Sequence, residues 1–338
     1  MAILLMTAPM PVQPLIDALH AAAPDVPVWA ADALPASFDP LAVEAVLAWR
    51  LKPGALAPYA NLRVLCSIGA GVDKLLAVPD LLDRFPNLAV TRTVDPTQQL
   101  HIAQYVVGCA LNHLRELPRY RAQQQAAQWA RHPVRPLARC RIGVLGLGAV
   151  GMAIARAFMP LGFPVAGWTR TPRAVQDLPP GMTACSGDTG DSGDQGGKGE
   201  TGSGDRASGL PGLLARSDVL VCALPLTPAT HGLLNRATLA QLPVGAFVIN
   251  IGRGEQLVEN DLRALLDSGH LAGAALDVFE REPPPPDNWV WQHPRVQATP
   301  HIAGEASATV VAAQLLDALR RARAGLPQPL GVDRGAGY

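Results

Sequence analysis

Residues 141–151 read RIGVLGLGAVG, a strand-like apolar run that leads directly into the glycine pattern GxGxxG. The following MAIARAFMPLG has the apolar spacing of an amphipathic helix. In this order, Gly146 permits a tight turn, Gly148 lets the backbone approach a pyrophosphate, and Gly151 allows close packing of helix on strand. Glycine turns can also be purely structural, but the flanking strand and helix favour a dinucleotide-binding fold. The phosphates are expected at the positive end of the helix, against Gly148, Ala149 and Val150.

Outward from this stretch, short β-type runs alternate with helical patterns along the chain. This alternation predicts an α/β protein with parallel, doubly wound sheets. A helical pattern between Thr97 and Leu117 is interpreted as a connector between two domains. The strand-like runs are VLCSI (64–68), RIGVLGL (141–147), FPVAGW (163–168), DVLVCAL (218–224), GAFVINI (245–251) and GAALDVF (273–279).

The composition indicates a soluble globular protein whose partners are small molecules. The 338 residues are enough for about two domains, and 49% of them are hydrophobic. The 28 basic residues balance the 28 acidic ones, which disfavours binding to nucleic acid or to a membrane surface. No run is long enough to span a bilayer, and the N-terminus lacks a signal-peptide pattern. Five scattered cysteines without a CxxC pattern suggest neither disulfides nor a metal site, and favour a reducing cytoplasm.

The segment 186–209 differs from the rest of the chain in composition. It contains nine glycines and almost no apolar residues, so it has little to bury. We interpret it as a flexible surface insertion.

The run WTRTPR (168–173) ends the strand that follows the glycine helix. In a fold that binds NAD, an acidic residue about 20 residues after the glycines accepts hydrogen bonds from the ribose. Arg170 stands there instead, and its guanidinium is suited to a 2′-phosphate, with Thr171 and Arg173 as further donors. This pattern predicts a preference for NADP(H), with NAD(H) possible. The alternative is that both arginines are solvated surface charges.

Three further segments place polar residues just beyond β-type runs: NIGRG with Arg253, DVFEREP with Asp277 and Glu282, and TPHIAG with His301. The carboxyl ends of parallel strands line the ligand crevice of an open α/β sheet. Arg253 can bind a carboxylate in bidentate fashion, His301 can exchange a proton with a carbinol, and Glu282 can orient the imidazole. Taken singly, each could be an ordinary loop residue.

Together the motifs resemble those of the D-isomer-specific 2-hydroxyacid dehydrogenases over nearly the whole chain. Within the family the likeness is greater to glyoxylate/hydroxypyruvate reductase A. The matching segments are GLGAVG, LPLTPATHGLLN, INIGRGEQLVENDL, LDSGHLAGAALDVFEREP and TPHIAG for the family, and SIGAGVDKLL, RAQQQAAQW, GFPVAGWTRT, VWQHPRV and VDRGAGY for the subgroup.

The resemblance implies roles for individual residues. Arg253 would bind the substrate carboxylate and carbonyl, and Glu282 with His301 would form the acid/base pair, His301 also touching the substrate. Asp277 would meet the nicotinamide carboxamide. The remaining implied cofactor contacts are Leu224, Pro225 and Ile251. The other implied substrate contacts are Trp49, Arg92 and the backbone of Ala70 and Gly71.

The resemblance also implies an architecture and a reaction. A Rossmann cofactor domain at 97–285 would be inserted into a flavodoxin-like substrate domain made of 1–96 and 286–338. A homodimer would reduce glyoxylate or hydroxypyruvate to the 2-hydroxy acid. Two alternatives remain: a reductase for bulkier 2-oxo acids such as phenylpyruvate, with Trp49 and Trp129 arguing for small substrates if they crowd the pocket, or a non-catalytic dinucleotide-sensing corepressor.

Overall fold

The computed structural model describes residues 1–78, 81–133, 136–187 and 209–332. Residues 188–208 lie outside this part, so the interpretation of 186–209 as a surface insertion stays a prediction. The described strands are β1 (Ala2–Met6), β2 (Val28–Ala30), β3 (Val43–Ala48), β4 (Val64–Ser67), β5 (Ala89–Thr91), β6 (Ile142–Leu145), β7 (Val165–Thr169), β8 (Thr183–Ser186), β9 (Val219–Cys222), β10 (Ala246–Asn250), β11 (Leu271–Leu276) and β12 (Val296–Ala298).

The described helices surround these strands. They are α1 (Gln13–Ala22), α2 (Asp73–Leu76), α3 (Leu81–Arg84), α4 (Pro96–Leu114), α5 (Leu117–Gln125), α6 (Ala149–Phe158), α7 (Leu210–Leu214), α8 (Arg236–Leu239), α9 (Glu259–Asp267) and α10 (Ala308–Ala324). Among the described residues, no helix is both long enough and apolar enough to cross a membrane.

The chain divides into two compact units, Met1–Gln98 with Glu305–Tyr338, and Gln99–Gly304. The return to the first unit lies at residue 305 rather than at the predicted residue 286. The reason is that β12 pairs in parallel with β11 and so completes the sheet of the second unit. The short β12 is half-buried, and its sequence has no apolar run that would distinguish it from a loop.

The first unit is built on a five-stranded parallel sheet in the order β2-β1-β3-β4-β5. This is the flavodoxin-like strand order. Successive residues of β1 are buried on opposite faces: Ile3 packs with α1 and α10, whereas Leu4 packs in the cluster on the other face. Because both faces are covered, the strands read as continuous apolar runs.

The second unit is built on a seven-stranded parallel sheet in the order β12-β11-β10-β9-β6-β7-β8. Six of these strands follow the Rossmann order, and β12 extends the sheet at one edge. The prediction of two doubly wound parallel sheets is therefore confirmed. The strand order reverses between β6 and β9, and ligands of this fold bind beyond the carboxyl ends of the strands at such a point.

Candidate active site

The glycine turn after β6 has the geometry that a pyrophosphate site requires. Gly146 has a φ of +91°, and a Cβ there would lie 2.8 Å from the carbonyl oxygen of Ala223 on the neighbouring strand connection. A Cβ on Gly151 would lie 1.8 Å from the Gly146 oxygen, so α6 packs directly on the turn. A Cβ on Gly148 would meet no protein atom within 4 Å. The turn is closed on its protein side and open at Gly148.

The first turn of α6 faces this open side. Gly148 is the N-cap of the helix, and Gly148 and Ala149 are exposed while Val150 is partly buried. The first amides of a helix have no intrahelical acceptor, and the helix dipole favours negative charge there. The residues present therefore fit the diphosphate of a dinucleotide, which would be held by the amides of the turn and of the helix start.

The two arginines after β7 differ in their surroundings. Arg173 donates from Nη1 to the carbonyl oxygen of Leu147 at 2.6 Å, which fixes its guanidinium beside the glycine turn. Arg170 is exposed and makes no hydrogen bond or ion pair with another described residue. Thr169 donates from Oγ1 to the carbonyl oxygen of Thr171 at 2.7 Å and so tightens the loop between them. Two guanidinium groups and a constrained loop thus stand at the end of β7, close to the turn.

The loop after β9 lies across the strand-order reversal from the glycine turn. Leu224 is buried and Pro225 is exposed. Thr230 donates from Oγ1 to the Pro225 oxygen at 2.7 Å. The side-chain amide of Gln256 donates to the carbonyl oxygens of Leu224 and Pro225, both at 3.0 Å. The predicted cofactor contacts in this loop, Leu224 and Pro225, therefore lie on a backbone whose carbonyl groups are fixed by hydrogen bonds from Thr230 and Gln256.

Arg253 follows β10 in a loop shaped by buried amide side chains. Asn250 donates from Nδ2 to the Arg253 oxygen at 3.0 Å and accepts from the Gly252 amide at 3.1 Å. The Arg253 amide donates to Oε1 of Gln256 at 2.9 Å, and its Nη1 donates to the Gly252 oxygen at 2.8 Å. The amide of Ile251 donates to the carbonyl oxygen of Cys222 at 3.2 Å, which joins this loop to the end of β9. The arginine backbone is thus fixed on both sides.

Glu282 and His301 form a pair in the structure. Nδ1 of His301 lies 3.1 Å from each carboxylate oxygen of Glu282, and both side chains are mostly buried, with 27% and 16% of their surfaces exposed. The Phe279 amide donates to Oε1 of Glu282 at 3.3 Å. A carboxylate on Nδ1 fixes the orientation of the ring and leaves Nε2 to face the substrate side. The predicted acid/base pair is therefore brought together.

Asp277 holds the loop that carries His301. Its backbone oxygen accepts from the His301 amide at 2.9 Å. Its carboxylate accepts from the amides of Ile302 and Ala303 at 2.9 and 2.8 Å, and from Oγ1 of Thr299 at 2.7 Å. His301 itself has a left-handed backbone with a φ of 57°, a conformation that surrounding contacts must maintain. The buried carboxylate thus has a positioning role in the structure, and its predicted contact with the nicotinamide stays a prediction.

In the first unit, the predicted substrate contacts lie at one edge of the sheet. Trp49 follows β3, Ala70 and Gly71 follow β4, and Arg92 follows β5, three adjacent strands of the same sheet. The Gly71 oxygen accepts from Oγ of Ser67 at 2.6 Å, which shapes the loop. Nζ of Lys74 lies 5.4 Å from the centre of the Trp49 ring, a cation–π contact that sequence reasoning missed.

Trp129 does not crowd a site within the described chain. Its side chain is 97% exposed, and it follows α5, which has no buried residue. Trp129 therefore gives no support for a narrow pocket, and Trp49 alone retains that role as a prediction.

Several residues of the site escaped sequence reasoning because they act through the backbone of their neighbours. Gln256 and Asn250 are polar residues within or beside apolar segments, a pattern that indicates a buried, hydrogen-bonded side chain but not its partners. Oη of Tyr105 on α4 lies 2.6 Å from Oγ1 of Thr299, which itself donates to Asp277. Burial raises the pKa of the Tyr105 hydroxyl, so it stays a donor. Only the fold brings it to this loop.

Comparison with known proteins identifies a matching family and full-length structural relatives. The family model for the D-isomer specific 2-hydroxyacid dehydrogenase NAD binding domain matches residues 107–189 and 193–303. A D-isomer specific 2-hydroxyacid dehydrogenase from Xanthobacter autotrophicus Py2, solved with NADPH and MES, is 38% identical, with a TM-score of 0.84 and coverage of 100% of this chain and 99% of that one. The NADPH-dependent glyoxylate/hydroxypyruvate reductase of Sinorhizobium meliloti, solved with NADP and sulfate, is 31% identical, with a TM-score of 0.86 and the same coverage.

Proposed function

The chain belongs to the D-isomer-specific 2-hydroxyacid dehydrogenase family, and on that premise we propose that it reduces small 2-oxo acids, glyoxylate and hydroxypyruvate first, with NADPH preferred over NADH. The observation that carries this proposal is the Glu282–His301 pair at 3.1 Å, in the same unit as Arg253 and the glycine turn. A carboxylate-paired histidine is the acid/base group that reduction of a 2-oxo acid requires, so the pair favours catalysis over dinucleotide sensing. The products would be glycolate and D-glycerate.

The reaction follows from the chemistry of these side chains. When bound, the nicotinamide supplies a hydride to C2 of the 2-oxo acid. Arg253 binds the substrate carboxylate and stabilises the negative charge that develops on the neighbouring oxygen. With Nδ1 held by Glu282, the His301 imidazolium protonates that oxygen from Nε2. The imidazole is then neutral, and a proton from solvent restores it for the next turnover.

The preference for NADPH rests on the end of β7. Arg170 is exposed and Arg173 is held beside the glycine turn, so two guanidinium groups are available where an NAD-binding fold carries an acid. Two relatives were solved with NADPH or NADP, which supports the same assignment. The proposed cofactor contacts are the turn, these arginines with Thr171, and Leu224, Pro225, Ile251 and Asp277.

The choice of small substrates rests on the likeness to the Sinorhizobium meliloti reductase and on Trp49. We propose Trp49, Arg92 and the Ala70–Gly71 backbone as substrate contacts, and the first unit as the substrate-binding domain. Trp129 is exposed and therefore gives no support for a narrow pocket. A bulkier 2-oxo acid such as phenylpyruvate is accordingly the alternative substrate to be tested.

Assembly and location are also proposals. A homodimer joined through the second unit is supported by the family likeness and by α5, whose residues are not buried within the described chain. A reducing cytoplasm is supported by the five cysteines, which form no disulfide within the described part of the chain and four of which are buried.

The test is a steady-state panel. NADPH and NADH oxidation are followed with glyoxylate, hydroxypyruvate and phenylpyruvate, and kcat/KM is compared. The proposal expects the highest value for NADPH with one of the two small acids. A higher value for phenylpyruvate would identify the bulkier substrate class. NADPH binding without turnover of any of the three would support the sensing protein.

A further inference from the structure

Gln256 is a fully buried side chain between two loops of the candidate site. Its Nε2 donates to the oxygens of Leu224 and Pro225 at 3.0 Å each. Its Oε1 accepts from the Arg253 amide at 2.9 Å and from Sγ of Cys222 at 3.4 Å. A side-chain amide has two N–H donors and two acceptor lone pairs, so all four capacities are used. One side chain thus joins the loop after β9 to the loop after β10.

The surroundings of Gln256 leave it little freedom to move. A Cβ on Gly252 would lie 2.3 Å from Oε1, so the loop before Arg253 is pressed against the amide. Burial raises the pKa of the Cys222 thiol to about 12, so its Sγ keeps its proton and can act as a donor. A buried network in which every donor and acceptor has a hydrogen-bond partner is rigid. Removing one of its groups leaves the remaining buried groups without a partner.

We propose that Gln256 is a positioning residue that fixes Arg253 relative to the Leu224–Pro225 loop, so that cofactor binding and 2-oxo acid binding depend on the same amide. The inference rests on the proposed function, which places the nicotinamide cofactor at Leu224 and Pro225 and the substrate carboxylate at Arg253. Gln256 itself touches neither ligand. Its effect is transmitted through the two carbonyl groups on one side and the Arg253 amide on the other.

Two substitutions separate the two ends of the side chain. Gln256→Met keeps the approximate volume and loses all four hydrogen bonds, so it should weaken both ligands. Gln256→Glu keeps the acceptor that faces the Arg253 amide. When ionised, however, it presents a carboxylate to the oxygens of Leu224 and Pro225, and only its protonated form can donate to one of them.

Gln256→Glu should therefore make NADPH affinity depend on pH, which a simple loss of packing would not do. Burial and two facing carbonyl groups favour the neutral form of the introduced carboxyl group, so its pKa should lie above the usual range. NADPH affinity of Gln256→Glu should approach the wild-type value at low pH and fall by about tenfold or more as the group ionises. The step is read as the ratio of the Gln256→Glu Kd to the wild-type Kd at each pH, because the 2′-phosphate of NADPH, with a second pKa of about 6, titrates with both proteins.

Gln241 supplies a matched control. It is exposed and donates from Nε2 to the Ala237 oxygen at 3.1 Å, outside the candidate site. Gln241→Glu introduces the same charge without a buried network, so NADPH affinity and glyoxylate KM should stay within about twofold of the wild-type values.

The experiment titrates NADPH by nicotinamide fluorescence from pH 5 to 8 in wild type, Gln256→Glu, Gln256→Met and Gln241→Glu. The KM of glyoxylate is measured at saturating NADPH. We expect the pH step only in Gln256→Glu, and in Gln256→Met about tenfold increases in both the NADPH Kd and the glyoxylate KM. Should Gln256→Met not fold, the step in Gln256→Glu decides alone.

Wild-type NADPH affinity in Gln256→Glu across the whole pH range would overturn the proposal for Gln256. The same holds if Gln241→Glu reproduced the step. A wild-type protein that binds NADPH but reduces no 2-oxo acid would overturn the proposed function, and the titration would still decide whether Gln256 positions the cofactor loop. A wild-type protein that does not bind NADPH would overturn both.

Discussion

A methyl group added at Gly148 should leave the fold intact and weaken NADPH binding. Gly148 has φ −68° and ψ −168°, a conformation that alanine adopts readily, and its Cβ would meet no protein atom within 4 Å. Replacing glycine at such a position restricts the unfolded chain, so the free energy of unfolding should stay equal or rise by about 0.4–1 kcal/mol. The open side is where the pyrophosphate is expected, and overpacking there costs about 1–3 kcal/mol. The NADPH Kd should therefore rise by about fivefold to 150-fold.

Gly151→Ala is the matched comparison, because the same methyl group meets protein there. Its Cβ would lie 1.8 Å from the Gly146 oxygen, so the helix must move away from the turn. The two variants are compared by thermal unfolding without cofactor and by fluorescence titration with NADPH. Gly151→Ala should lower Tm, whereas Gly148→Ala should lower only affinity. An unchanged Kd in Gly148→Ala would refute the placement of the pyrophosphate at this turn.

The other predictions concern the cofactor phosphate, the acid/base pair and the first unit. Arg170→Ala should weaken NADPH use by about tenfold to a hundredfold in kcat/KM and leave NADH use nearly unchanged, because hydrogen bonds to charged groups contribute about 1.5–3 kcal/mol; equal losses would show that Arg170 does not contact the 2′-phosphate. His301→Asn should lower kcat for glyoxylate by about 10² to 10⁴ with NADPH Kd unchanged, and Glu282→Gln should lower kcat less, since the amide still orients the ring; wild-type kcat in Glu282→Gln would mean that the two residues are not coupled. Burial raises the pKa of Asp95, but amide hydrogen bonds from Ser307 and others outweigh it and hold that pKa below its usual range, so its stabilising effect is present above about pH 4 and lost as pH falls further. Urea unfolding from pH 3 to 7 should show Asp95→Asn less stable than wild type at pH 7, and the difference in the free energy of unfolding should become smaller as the pH falls below about 4. A difference independent of pH would rule out this linkage.

Local patterns were sufficient to predict most of the fold. The apolar runs before Gly146 and at 218–224 and 245–251 are buried on both faces of a parallel sheet. Such strands are continuously apolar, so they can be recognised from the sequence alone. β12 was missed because it is short, half-buried and at a sheet edge. The predicted domain boundary at residue 286 consequently lies before the boundary at residue 305 in the structure.

Some side chains of the candidate site could be predicted from the sequence, and others could not. Arg253 and Glu282 follow strand-like runs, so their approach to one sheet edge could be predicted from their positions, whereas His301 follows β12 and its place beside Glu282 was implied by the family resemblance. Tyr105 and Gln256 could not be assigned, because their partners lie on other elements or are backbone atoms. The positioning role of Asp277 also became visible only with the amides of the His301 loop in place.

The most direct test follows both substrates and products of the proposed reaction. Wild-type protein and His301→Asn are each incubated with NADPH and hydroxypyruvate, and NADPH consumed is compared with D-glycerate formed by chiral chromatography. The proposed function predicts one D-glycerate for each NADPH oxidised in wild type, and a rate lower by about 10² or more in His301→Asn. NADPH oxidation without D-glycerate would contradict the proposed reaction, and an undiminished rate in His301→Asn would contradict the role of the Glu282–His301 pair.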